Sequence, residues 1–251
     1  MLFANSQSLV SVDWLAHHID AVEIRILYAS LQTSESDVPS EKKWRAQHIP
    51  YSSYFDINGL ISDQNGEFVD PASFADHVMA SGVGNGNKVI VYDMTDGSGA
   101  ILMWWLLRYH GHNNVAVLDG GMSKWSASGK EISDRPRRPK RHNFTSILQN
   151  TMFVDNERLE EVIDEGVTQV FDTDIKDVGN ELLTKSIIQS SKPQKYPDER
   201  VTPEELYELC SSLRIKLDSG IIITGNEMIA KTKLAFLLHL LGADNLSIHC
   251  P

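Results

Sequence analysis

The chain has 251 residues, 41% of them hydrophobic, and a formal net charge of −11. That acidic balance argues against nucleic acid as a partner. Two cysteines make neither a disulfide framework nor a Cys-rich metal site, and no stretch approaches the roughly 18 apolar residues of a membrane helix.

In chain order, the opening "MLFANSQSLVSVDW" lacks a basic region followed by a long apolar run, so no signal peptide is expected and the protein reads as cytoplasmic. A helix pattern then leads into the strand "EIRIL". "RAQHIPYSSYFDI" follows, then a helix starting near Pro71 and the strand "KVIVYD". Asp93 ends that strand at the Gly-rich turn "MTDGSGA", whose spacing fits neither the dinucleotide nor the P-loop fingerprint. "WWLLRYHGHNNVAVLD" gives another helix and strand. Residues 133–150, within and after the Pro-rich, basic "KEISDRPRRPKRHNF", read as an extended linker lying on an acidic surface. Beyond it come the helix "NERLEEVIDE", the strand "VTQVF", the helix "PEELYELCSSL", and then "IIITGNEMIAKTKLAFLLHLLG". In this last stretch a β-branched run breaks at Gly225 and Asn226 before a helix that is apolar nearly all round.

The halves can be laid over one another. The segment from Leu9 matches that from Phe153 at an offset of 144, Val69 onward matches Val201 onward at 132, and Trp104 onward matches Ala235 onward at 131. Apolar positions agree in all three blocks, which points to two copies of one α/β fold, residues 1–132 and 151–251. Alternating helices and short β-branched strands imply a mainly parallel sheet in each, with helices on both faces. The fall in offset shortens the second copy by 12 residues ahead of Val201, and one more is lost in the turn after the Asp93 position. The chain stops at Cys250 and Pro251 where the first copy continues "GGMSKWSASG", so the second either lacks its last helix or is incomplete.

"RAQHIPYSSYFDI", "VIVYD" and "WWLLRYHGHNNVAVLDGGMSKWSASG" resemble the first domain of two-domain rhodaneses and mercaptopyruvate sulfurtransferases. The resemblance implies two tandem rhodanese-like domains, the second carrying catalysis on a loop of the type C-G-S-G-V-T. Its cysteine would take sulfur as a persulfide and pass it on, with backbone N–H groups and a helix N-terminus holding the thiolate. Here that loop aligns to Gly225, Asn226, Glu227, Met228, Ile229 and Ala230, with glycine in place of the nucleophile. The family's Asp-Ala-Arg aligns to Asp172, Thr173 and Asp174, which substitutes an acid for a substrate-binding arginine. The family's second arginine and G-H-I-P-G turn have no counterpart in "IKDVGNELLTKSIIQSSKPQKY". In the first domain Tyr51 stands for the usual glycine after His48, Ile49 and Pro50, Tyr28 for the usual aspartate, and Ala100, Ile101 and Leu102 for Ala-Pro-Arg.

Asp93, the first-domain equivalent of Gly225, is expected to be structural and to accept the N–H groups of its own turn. Glu227 is expected to cap the N–H groups of the degenerate loop and, with Asp174, to close it to sulfate and thiosulfate. Cys210, His110, His112 and the tryptophans Trp104, Trp105 and Trp125 read as packing or helix-end residues. No metal spacing and no cofactor motif is present. Three functions fit: a catalytically silent homologue that binds a small anion or a protein, an active sulfurtransferase using Cys250 as an unusual thiol, or a structural subunit pairing with an active paralogue.

Overall fold

The computed structural model describes residues 2–31, 39–60, 68–166, 168–174 and 202–251. The shortened segment from Ile175 to Tyr196 lies outside the described residues. Two compact units result, Leu9–Leu148 and Gln149–Pro251, with residues 2–8 belonging to the second.

The first unit runs β1 (Leu9–Val10), α1 (Val12–His18), β2 (Ile24–Ser30), α2 (Ser40–Ala46), β3 (Ser53–Asp56), α3 (Pro71–Ala80), β4 (Lys88–Tyr92), α4 (Ser98–Tyr109), β5 (Val115–Leu118) and α5 (Gly121–Ala127). All its strands are parallel, in the order β1-β5-β4-β2-β3. Helix starts follow local chemistry: Ser11 accepts the Trp14 N–H at α1, and Asp70 accepts those of Ala72 and Ser73 ahead of Pro71 at α3. Consecutive residues Val89 to Tyr92 are all fully buried, so both faces of the sheet are covered. One face joins Ile26, Ile90, Ala116 and Leu118 to Leu15 of α1, Trp44 of α2, and Met122 and Trp125 of α5 in a single apolar cluster.

The second unit runs β6 (Phe153–Val154), α6 (Asn156–Glu165), β7 (Gln169–Asp172), α7 (Pro203–Ser212), β8 (Ile221–Thr224), α8 (Met228–Leu240) and β9 (Leu246–His249). Among the described residues its parallel order, β6-β9-β8-β7, matches that of the first unit without a counterpart of β3. Thr202 and Glu205 form a reciprocal capping box at α7. Ten consecutive residues of α8, from Lys231 to Leu240, are buried, as its all-round apolar sequence implies.

The division differs from the sequence expectation at two places. Residues 133–148, expected as a linker, pack with the first unit. Phe144 is buried there, Asn143 accepts the Asn85 N–H, and Arg141 pairs with Asp76. Residues 2–8 pack with the second unit, where the Asn5 amide donates to the His239 carbonyl at 2.9 Å and Ser8 Oγ lies 3.0 Å from His239 Nε2. Tyr51, in its glycine slot, adopts φ 65°, and the Arg137 guanidinium lies 4.4 Å from its ring centre.

His110 stacks on Phe74 with ring centres 3.6 Å apart, and its Nδ1 lies 2.7 Å from Ser146 Oγ. Burial pulls its pKa down to about 4 and also lowers that of His112. A histidine depressed on folding contributes stability that is present above the unfolded pKa near 6.5 and lost as pH falls toward 4. For His110 the loss is about 3 kcal/mol. Denaturant midpoints at pH 7 and pH 5 should separate more in the wild type than in His110→Asn.

Candidate active site

Both candidate positions stand where a central strand gives way to a helix. In the first unit, residues 93–97 connect β4 to α4. Asp93 is 4% exposed. Its Oδ1 accepts the N–H groups of Thr95 at 3.0 Å and Gly97 at 3.1 Å, and its Oδ2 accepts that of Gly99 at 3.1 Å. The turn is an N–H cradle wrapped round the chain's own carboxylate. Burial pushes the Asp93 carboxyl up in spite of these donors. Gly99 is needed because a Cβ there would sit 2.4 Å from the Ala29 carbonyl oxygen.

In the second unit, residues 225–227 alone connect β8 to α8. Met228, Ile229 and Ala230, expected in the loop, form the first turn of the helix. They include none of the glycines that hold the first-unit turn open, and nothing at these positions opposes helix propagation. Gly225 is half-buried, whereas Asn226 and Glu227 are exposed.

Gly225 has φ +130°, and a Cβ on it would lie 2.1 Å from Thr173 Oγ1 and 3.3 Å from Asp174 Oδ1. Thr173 is pinned, because its backbone N–H and its hydroxyl both donate to the Thr224 carbonyl, at 3.0 and 3.1 Å. Asp174 Oδ2 accepts the backbone N–H of Asn226 at 2.9 Å and its side-chain amide at 2.6 Å. The expectation that Glu227 caps this turn is therefore corrected. Glu227 is the N-cap residue of α8 but makes no side-chain cap bond. Its side chain is longer than those of the good N-cap residues, and Asp174 reaches the turn from the end of the neighbouring strand.

Lys231, one turn into α8, is 3% exposed and donates to the His249 carbonyl at 2.7 Å. Burial lowers its pKa, opposed by the nearby Cys250 and Asp174. Cys250 is partly buried at the end of β9, and burial raises its thiol pKa, with Lys231 opposing. Cys210 is 2% exposed and pushed up to about 11 by burial, which makes it a poor thiolate. The structure thus brings Gly225, Asn226, Asp174, Lys231 and Cys250 to one end of the second sheet. Asp93 is placed at the corresponding strand end of the first. The sequence reading aligned Thr173 without giving it a role, and it missed Lys231 within an apolar helix. Two lysines in that otherwise apolar helix, Lys231 and Lys233, were the one available signal.

The rhodanese-like domain model matches residues 11–128. The chain is 34% identical to thiosulfate/3-mercaptopyruvate sulfurtransferase 2 of Arabidopsis thaliana over 51% of its own length and 39% of that protein's. It is 27% identical to thiosulfate sulfurtransferase of Bos taurus over 97% of its own length and 89% of that protein's. Among solved structures, the 3-mercaptopyruvate sulfotransferase SseA of Escherichia coli superposes with a TM-score of 0.79 at 22% identity, covering 96% of this chain and 97% of that one. Among the described residues no helix is long and apolar enough to cross a membrane. Two parallel α/β sheets of matching order and similarity running nearly end to end give this chain the two-domain fold of the sulfurtransferases it resembles, with residues 11–128 matching the rhodanese-like domain.

Proposed function

We propose that this chain is a sulfurtransferase-family protein that no longer forms a persulfide, its second domain being a degenerate copy of the first kept for binding or assembly. The observation that supports this most is Asp174 bonded to the Asn226 N–H in the turn where the family resemblance puts the nucleophile and its anion. A thiosulfate or mercaptopyruvate anion approaching that N–H would meet a carboxylate at bonding distance. Two like charges about 4 Å apart repel by about 4 kcal/mol at an effective dielectric near 20, more than a helix N-terminus typically returns. Gly225 offers no nucleophile, and positioning alone cannot replace one when the covalent intermediate is the mechanism.

The role that remains is to bind a protein partner, an active paralogue among the candidates. Two unpaired, buried or part-buried thiols suit a reducing compartment such as the cytoplasm.

Steady-state assays of sulfur transfer from thiosulfate and from 3-mercaptopyruvate to cyanide test the proposal. Rates at the no-enzyme background are expected with both donors. Turnover abolished by Cys250→Ser would overturn it in favour of the unusual thiol, which the proximity of Lys231 makes the best placed alternative.

A further inference from the structure

Charge is unevenly spread along this acidic chain. Residues 40–51 and 130–142 hold nine of its 23 Lys and Arg but three of its 34 Asp and Glu, which leaves 14 against 31 elsewhere. The fold joins the two segments: His48 and Ser133 exchange backbone hydrogen bonds of 2.8 and 2.9 Å. From Ser133 the chain runs as a strap packed with the first unit. Pro139 closes on Gly82, where a Cβ would lie 2.8 Å from that of the proline, and beyond it the Thr145 N–H donates to Asn85 Oδ1 at 2.9 Å. Pro136 and Pro139 stiffen the span between these fixings. Arg135, Arg137, Arg138 and Lys140 are all exposed along it. Arg141 is paired with Asp76, and Arg135 comes within 4.0 Å of Asp134. Among the described residues Arg137, Arg138 and Lys140 are paired with no carboxylate.

Arg137 is held in another way. Its guanidinium lies 4.4 Å from the ring centre of Tyr51, a residue 47% exposed that keeps φ 65°. A bulky side chain is strained there, and Tyr51 fills no core position in return. Stacking occupies the face of a guanidinium and leaves its in-plane N–H fork to take a carboxylate. We infer that the strap is a docking surface for an acidic, extended segment of a partner protein, which pairs its carboxylates with Arg137, Arg138 and Lys140. The sign of the partner follows from the charge of the strap. Its extended shape follows from residues 133–141, which form neither helix nor turn and reach up to about 30 Å. Two observations favour a protein segment over nucleic acid. Tyr51 and Ile132, 47% and 40% exposed, add apolar area that a phosphate backbone leaves uncovered. A polyanion running past the strap would also meet a remainder of 14 cations against 31 acids. The inference stands whether or not the chain transfers sulfur, because the strap belongs to the first unit and the turn at Gly225 to the second.

The test uses the full chain and a fluorescein-labelled peptide of eight glutamates. Saturable anisotropy is expected, weakening with added salt. Arg137→Ala, Arg138→Ala and Lys140→Ala together should loosen binding at least about tenfold, and the exposure of these side chains leaves the fold intact. Arg137→Lys keeps the charge but loses the fork and the stack, and should loosen binding about threefold. Amide shifts should fall on Tyr51 and residues 133–141. The inference is overturned by absence of binding at roughly 1 mM peptide, by equal affinity of the triple variant or of Arg137→Lys, or by shifts confined to residues 149–251. Tighter binding of an eight-nucleotide single-stranded DNA, or of phosphatidylserine vesicles, than of the peptide would also overturn it, because the surface would then suit a phosphate-bearing partner. Strong amide protection of residues 135–140 in the free chain would do the same, since another part of the chain would then cover the strap.

Discussion

Gly225→Cys is expected to remain at background in sulfur transfer, even though it restores the residue type that the family resemblance puts at this position. The new Cβ would fall 2.1 Å from Thr173 Oγ1, and Thr173 cannot swing away without giving up both of its bonds to the Thr224 carbonyl. A non-glycine residue at φ +130° carries strain of about 1–3 kcal/mol before that clash is counted. A thiol placed there would also face the Asp174 carboxylate, which disfavours the thiolate. The variant should lose about 2–4 kcal/mol of stability by denaturant melting and form no persulfide. Adding Asp174→Arg, with Thr173→Ala to make room, should improve matters only in part, because the connection of residues 225–227 is too short to cradle an anion as residues 93–99 cradle Asp93. Turnover by Gly225→Cys alone near that of an ordinary rhodanese would show that the turn is not remodelled.

Asp93→Ala should be the more damaging change in the first unit. It strips the acceptor from three N–H groups at once, those of Thr95, Gly97 and Gly99, of which the last is buried and the first two belong to part-buried bonds. Each unsatisfied buried donor costs about 1–3 kcal/mol, and relief from burying a carboxylate offsets part of the sum, so a net loss of about 3 kcal/mol is expected. Asp93→Asn should cost less, because one oxygen survives. The pH dependence separates the two contributions. The Asp93 carboxyl is raised on folding, so its favourable share is fully present below the unfolded pKa of 3.8 and is lost as pH rises through the folded value. The stability advantage of wild type over Asp93→Asn should therefore be larger at acid than at neutral pH. A pH-independent difference would mean that Asp93 folds in without change of pKa.

Much of the fold was legible because its signals are local. The β-branched run Ile221–Thr224, the mostly apolar helix behind it and the Gly-rich turn after Asp93 each specify their element. Asp93 as acceptor of its own turn was likewise readable, since a short acidic side chain at a strand end ahead of glycines has few other ways to be buried. What escaped depends on contacts distant in sequence. Asp174 and Asn226 are 52 residues apart, and nothing local distinguishes an acid that has merely replaced a cation from one that fills the turn it faces. Glu227 was the nearer acid and therefore the wrong choice. Residues 2–8 likewise dock through Asn5 and Ser8 onto His239, more than 200 positions away, and no periodicity in seven residues could reveal it.

On the proposed reading, the turn at Gly225 neither offers a thiol nor admits a sulfur donor. Intact-mass spectrometry of the wild-type chain after incubation with excess thiosulfate, and separately with 3-mercaptopyruvate, tests it most directly, with peptide mapping of Cys210 and Cys250. An unchanged mass is expected with both donors. A species heavier by one sulfur atom, lost on addition of cyanide and mapped to either cysteine, would contradict it.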